Sequence, residues 1–206
     1  MLYHIFTTRV KKYFKKMIDK NKMQDIIKRM EFNFNFEKLT IRDFEDIFNI
    51  MSESFPLDEY RDKKGQLAVF NEKDYAVYGV RDNGSLVAFI TVWEFEELTY
   101  IEHFAVKSEY RNQNIGSQML ERVGRFSNNL AVLEVEVPTD SFSKRRVGFY
   151  ERNGFFYNDY PYVQPAMADG KREVPLKIMS TKRKITLEEF NLARDILYKR
   201  VYKISL

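Results

Sequence analysis

Residues Tyr100 to Gln118 read YIEHFAVKSEYRNQNIGSQ, and the rest of the chain is best approached from them. Tyr100 to Val106 is an apolar-rich run of strand length. Lys107 to Glu109 is a polar turn. Arg111-Asn112-Gln113-Asn114-Ile115-Gly116-Ser117 leads directly into MLERVGRF, where Met119, Leu120, Val123 and Phe126 recur at helical spacing. The reading is strand, loop, helix. The first four N–H groups of a helix have no internal partner, and the aligned peptide dipoles add positive potential there. A helix start of this kind binds phosphate. A plain strand–turn–helix connection without a ligand fits the same features equally well.

Upstream, Phe32-Asn33-Phe34-Asn35-Phe36 alternates as a half-buried strand does. Thr40 and Asp43 make a capping-box-like pair ahead of Phe44, Ile47, Phe48 and Met51, a helical stripe that Pro56 stops near Ser54. A second helical piece follows around Lys63 to Phe70. Tyr75 to Arg81, Leu86 to Phe95 and Leu98 to Val106 read as three strands in succession, with an Asn83-Gly84 hairpin signal after the first. Downstream, Ala131 to Val137 reads as a buried strand. Ser143 to Asn153 reads as a short helix closed by Gly154. Phe155 to Val163 and Val174 to Ser180 read as a final strand pair joined by a mobile loop. Thr186-Leu187-Glu188-Glu189 opens a last helix with a capping box. Its apolar face of Phe190, Ala193, Ile196, Leu197 and Val201 packs on the same chain or on a partner subunit, which leaves a homodimer open.

Composition narrows the chemistry. The 206 residues fit one domain with additions, and 44% hydrophobic content supports a sizeable core. There is no cysteine, which excludes disulfides, zinc–thiolate sites and a thiol nucleophile. His4 and His103 are the only histidines, too few for a multi-histidine metal site, and no metal is expected. No apolar run approaches the ~18–20 residues of a membrane span. The first residues lack the apolar core and cleavage site of a secretory signal, so a cytoplasmic location is expected. Residues 1–30 hold nine Lys/Arg and two Asp/Glu, whereas residues 31–206 hold 25 and 28. The mildly acidic body argues against nucleic-acid binding. Val10, Phe14, Met17 and Ile18 lie at helical spacing among lysines. They suit a basic amphipathic helix that touches an anionic surface, a helix docked on its own domain, or a weakly ordered leader. The expected organisation is a basic extension over 1–30, a main domain over 31–183 and a C-terminal amphipathic helix over 184–206.

Tyr110-Arg111-Asn112-Gln113-Asn114-Ile115-Gly116-Ser117 resembles the acetyl-CoA pyrophosphate loop of the GNAT superfamily of N-acetyltransferases, Arg/Gln-x-x-Gly-x-Gly/Ala. Arg111 and Gly116 occupy the first and last positions. Asn114 stands where the family has glycine, a mild departure because asparagine tolerates a left-handed backbone. Tyr150-Glu151-Arg152-Asn153-Gly154-Phe155 resembles the family's Tyr-x-x-x-Gly-Phe signature without a mismatch. With the order of elements, the resemblance covers about residues 34 to 164. It implies an α/β fold with a mixed, mostly antiparallel sheet and helices on both faces. It also implies acetyl transfer from acetyl-CoA to a primary amine of a small molecule or peptide, by direct transfer in a ternary complex.

The same resemblance supplies roles. Arg111, Asn112, Gln113, Asn114, Ile115, Gly116 and Ser117 are expected to hold the pyrophosphate. Phe104, Ala105 and Val106 are expected to pair with the pantetheine arm through their backbone. Ser143 stands where the family often has an asparagine that contacts cofactor or water. Tyr150 is the candidate acid for the departing thiolate, and Glu102 the candidate base, its pKa raised by a partly closed cleft. His103 faces the other side of a regular strand and is expected to pack on a helix, unless a bulge intervenes. Glu53, Asp58, Glu59 and Tyr60 lie in the segment that forms one wall of the acceptor site in many relatives. Tyr60, Glu134 and Glu136 are the candidates for holding the acceptor, and the acidic set favours a cationic amine. A non-catalytic acyl-CoA-binding module accounts for the loop and fold equally well, but leaves Tyr150 and Glu102 without a role.

Overall fold

In a computed structural model, residues 35–126 and 129–204 are described. The expected basic helix in residues 1–30 and the start of the first strand lie outside them. Seven strands form one sheet in the order β1-β2-β3-β4-β5-β7-β6. They are β1 (Asn35–Lys38), β2 (Tyr75–Asp82), β3 (Ser85–Glu94), β4 (Leu98–Val106), β5 (Leu130–Glu136), β6 (Phe155–Gln164) and β7 (Val174–Thr181). The helices are α1 (Phe44–Ser54), α2 (Lys63–Ala68), α3 (Ile115–Phe126), α4 (Ser141–Arg152) and α5 (Leu187–Ile196). β4 and β5 run parallel, and the pairs β2/β3, β3/β4, β5/β7 and β6/β7 run antiparallel. This is the mixed, mostly antiparallel α/β sheet that the family resemblance implied.

Local chemistry accounts for the elements. Thr40 and Asp43 close a capping box, but the first turn they cap is 3-10, and the α-helix starts one turn later at Phe44. Asn83 and Gly84 both take positive φ, at 47° and 84°, as a two-residue type I′ hairpin requires. β3 is buried over eight consecutive residues, Leu86 to Trp93, because helices cover both of its faces. Ile47, Ile50 and Met51 of α1 share one core with Phe89, Trp93 and Tyr100. Ile115, Met119, Leu120 and Val123 of α3 are buried but stand outside that core, against the opposite face.

The last helix packs on its own chain. Phe190, Ala193, Ile196, Leu197 and Val201 join the α1-side core, the last two from a single π-helical turn, Leu197–Val201. Asn158 anchors the approach to this helix. Its side chain donates to the Ile178 carbonyl at 3.1 Å and to Ser180 Oγ at 2.9 Å, and accepts from Ile185 N–H at 3.0 Å. The connection between β6 and β7, expected to be mobile, is tied to the segment between α1 and α2. Lys171 donates to the Leu57 carbonyl at 2.6 Å and to that of Tyr60. Arg172 pairs with Asp58 at 2.8 Å, and Gln164 donates to the Asp58 carbonyl at 3.1 Å.

Candidate active site

β4 and β5 pair only from Leu98/Leu130 to Ile101/Leu133. Beyond that point each strand continues with its other neighbour, β4 with β3 to Val106 and β5 with β7 to Glu136. Residues 102–106 and 134–136 therefore border an opening in the sheet. A bulge accompanies the parting: Thr91 pairs with His103 and Val92 with Ile101, so Glu102 is the extra residue of β4. An extra residue bends its strand and increases the local twist. The backbones of Phe104, Ala105 and Val106 border this opening on the side away from β3. The Val106 carbonyl accepts from Arg111 Nε at 3.0 Å.

The loop after β4 turns through a 3-10 segment, Ser108–Tyr110, and then through Asn112 at φ 63° and Asn114 at φ 64°. Both asparagines sit in the left-handed region that few side chains other than Asn tolerate. Asn114 thus meets the conformational demand that glycine meets elsewhere. Its carbonyl accepts from Gln118 N–H at 3.1 Å, which starts the α3 ladder. The amides of Ile115, Gly116 and Ser117 precede that bond and are left for an anion. A Cβ on Gly116 would lie 3.1 Å from Phe104 and 3.2 Å from Phe149, so glycine lets the helix start close against β4 and α4. Open strand edge, turned amides and a close-packed glycine fit the diphosphate and amide arm of coenzyme A. Ser143 is instead engaged in the α4 cap, where its hydroxyl donates within Asp140 at 3.1–3.2 Å and accepts from Asp140 N–H.

The acidic groups around the opening occupy different electrostatic settings. Glu102 has a side chain only 1% exposed, pairs with Arg61 at 2.6 Å and accepts from Trp93 Nε1 at 3.0 Å. Burial works to raise its pKa, but the Arg61 guanidinium, His103 and the Trp93 bond prevail and hold it below the ordinary carboxylate value. This is the reverse of the raised value expected for a base. Glu134 accepts from Tyr100 at 2.6 Å, from Tyr202 at 2.7 Å and from Tyr162. Burial raises its pKa, and the three phenols only partly offset that. Glu136 pairs with Arg146 of α4 at 2.7 Å. Glu59, half-buried, is raised to about 7 by burial, then by Glu136, with Arg146 acting in the opposite sense.

Tyr150 is buried in the last turn of α4, with its ring edge-on to Phe149 and Phe155. Burial pushes its phenol up to about 12, with Arg146 lowering and Glu136 raising it. Tyr60 is 4% exposed, packs edge-on to Phe48 and lies beneath Lys171 Nζ at 4.4 Å from its ring centre, so it forms part of the wall's core. His103 is 2% exposed and edge-on to Phe55 of the α1–α2 connection, with Nε2 3.0 Å from the Glu59 carbonyl. Burial lowers its pKa. Sequence reasoning missed Arg61, Trp93, Tyr162 and Tyr202 as companions of Glu102 and Glu134. No local pattern marks them, since each meets its partner only through the tertiary fold.

Among the described residues no group of histidines and carboxylates is placed to hold a metal, and no helix is long and apolar enough to cross a membrane. The sheet thus opens between two parallel strands beside a helix start lined with backbone amides. The acetyltransferase (GNAT) family model matches residues 44–155, more than half of the chain, and the chain belongs to that family. A putative GNAT acetyltransferase from Bacteroides thetaiotaomicron is 29% identical, with a TM-score of 0.75 over 83% of this chain and 99% of its own. The ribosomal-protein-S18-alanine N-acetyltransferase of Escherichia coli shares the fold at 19% identity and a TM-score of 0.53, over 75% of this chain and 96% of its own. NAA60 of Arabidopsis thaliana, solved in complex with acetyl-CoA, does so at 17% identity and a TM-score of 0.57, over 72% and 97%. Comparison with curated protein sequences gives no match.

Proposed function

We propose that this chain transfers the acetyl group of acetyl-CoA to a primary amine, by direct attack of the amine on the thioester while both are bound. The observation that carries this reading is the opening between β4 and β5, next to a helix start whose first amides are free of the ladder. Acetyl-CoA supplies the activated acetyl carbon. The amides from Arg111 to Ser117 receive its diphosphate, and the edge of Phe104 to Val106 receives the arm as an added strand would be received. Tyr150 donates a proton to the departing sulfur. Burial keeps that phenol protonated throughout the neutral range, which is the state a donor needs.

Glu59, Glu134 and Glu136 surround the opening with negative charge and favour an acceptor that arrives as a cation. Tyr60 supports this wall from behind. Glu102 positions rather than reacts: paired with Arg61, it fixes the α1–α2 connection against the bulge of β4. The E. coli relative is named for an alanine of a ribosomal protein, so a peptide amine is one acceptor class to test.

A thiol-release assay with acetyl-CoA across a panel of small amines and alanine-terminated peptides, run beside calorimetry of coenzyme binding, tests the reading. Coenzyme binding with amine-dependent thiol release supports it. Coenzyme binding without release from any amine would move the assignment to a non-catalytic acyl-CoA-binding module. No heat of binding from folded protein would overturn both.

A further inference from the structure

We propose that Glu59, on the short turn between α1 and α2, is the group that takes the proton from the acceptor's ammonium. The proposal rests on the amine-acetylation reading above and adds a residue from outside the sheet to it. Every other carboxylate at the opening is committed. Glu102 is held by Arg61 and Trp93, Glu134 by three phenols, Glu136 by Arg146 and neighbouring Asp58 by Arg172. Among the described residues the Glu59 carboxylate alone in this group has neither an ion pair nor a hydrogen bond. His103 is the other titratable group nearby, but it is shut behind Phe55 and against the Glu59 carbonyl.

The turn that carries Glu59 is braced. Its carbonyl lies 3.0 Å from His103 Nε2, and Leu57, Asp58 and Tyr60 on either side are held by Lys171, Arg172 and Gln164. A base on a fixed backbone with a free carboxylate loses little on meeting its substrate. The groups that act on it are Asp58 beside it, Glu134 and Glu136 from β5, and Arg146 from α4. The three carboxylates disfavour its ionised form and the single guanidinium favours it. With burial, the balance sets the carboxyl at about 7, where it exchanges a proton near neutrality.

The proton balance closes without another reagent. The Glu59 carboxylate removes one proton from R–NH3+, and the freed nitrogen pair forms the C–N bond to the acetyl carbon. The C–S bond breaks, and its sulfur takes the Tyr150 proton. The phenolate recovers a proton from the nitrogen, which leaves a neutral amide, a thiol and one proton on Glu59 for solvent.

The test compares an ammonium with a nucleophile that needs no such deprotonation. Thiol release by wild type, Glu59→Gln and Glu59→Asp is followed with spermidine, benzylamine and an alanine-terminated peptide, and separately with hydroxylamine, which is largely uncharged at neutral pH. With whichever ammonium probe wild type accepts, Glu59→Gln is expected to lower kcat/KM about 100-fold or more and to abolish the acid limb of its pH profile. Hydroxylamine turnover and coenzyme affinity should stay within about threefold, and Glu59→Asp should recover part of the loss. Equal turnover of that ammonium probe by wild type and Glu59→Gln overturns the proposal. So does an equal loss for both kinds of nucleophile, or a wild type that accepts hydroxylamine and no ammonium. A wild type that binds coenzyme and releases thiol to no nucleophile overturns the transferase reading itself.

Discussion

The hydroxyl of Tyr100 on β4 donates to the carboxylate of Glu134 on β5 at 2.6 Å, just beside the point where the two strands part. Tyr202, beyond α5, and Tyr162 on β6 complete the cage around the same carboxylate. The cage closes the floor of the opening and ties the C-terminal segment to the sheet. A hydrogen bond to a charged group contributes about 1.5–3 kcal/mol. Tyr100→Phe should lower unfolding stability by about that amount, read by urea titration, with acetyl-CoA binding little changed.

Arg61 and Glu102 form a buried pair, with side chains 10% and 1% exposed, and Arg61 also donates to the Val201 carbonyl at 3.2 Å. Removing one member of such a pair strands the other charge, which costs about 3–5 kcal/mol. Arg61→Ala should therefore destabilise the domain by about that much. The double variant Arg61→Met/Glu102→Leu should recover a large part of the loss, because it leaves no unpaired charge. Denaturant midpoints of the three proteins check both statements.

Tyr150→Phe removes one oxygen from a ring that is otherwise held by Phe149 and Phe155. Turnover should fall by about 100-fold or more, the range for loss of a general acid. Coenzyme affinity by calorimetry should remain close to that of wild type. Equal turnover in the two proteins would remove the tyrosine from the chemistry.

Asn114 holds φ 64° at the entrance to α3. Asn114→Gly meets the same demand and should bind coenzyme A about as well as wild type. Asn114→Val forces a branched residue into the left-handed region at about 1–2 kcal/mol. It should weaken coenzyme binding by a comparable amount. Isothermal titration of the two variants distinguishes them.

Glu189 closes the capping box of α5 on Thr186 and accepts both guanidinium nitrogens of Arg183, at 2.6 and 2.8 Å. The Arg183 hydrogen bonds, then the Thr186 N–H, lower its pKa from 4.5 to about 2. A carboxylate whose folded pKa is lowered stabilises the fold above its unfolded value and loses that contribution as pH falls through the folded one. The melting-temperature gap between wild type and Glu189→Gln should be present at neutral pH. It should shrink progressively as pH falls from 4.5 towards about 2.

Much was decided by local sequence. The Asn83-Gly84 turn, the caps at Thr40 and Thr186, the stop at Gly154 and the amide-lined start of α3 all follow from neighbours a few residues apart, and so could be read directly. The pairing of Arg61 with Glu102, the tyrosine cage of Glu134 and the isolation of Glu59 could not. Their partners lie tens of residues away, and a carboxylate's proton affinity depends on which charges the fold brings within a few ångströms of it. The sequence alone therefore determined the elements, their order and the loop that suits coenzyme A. The tertiary structure decided which of several glutamates is paired and which is left unpaired, because desolvation and ion pairing arise only when distant segments meet.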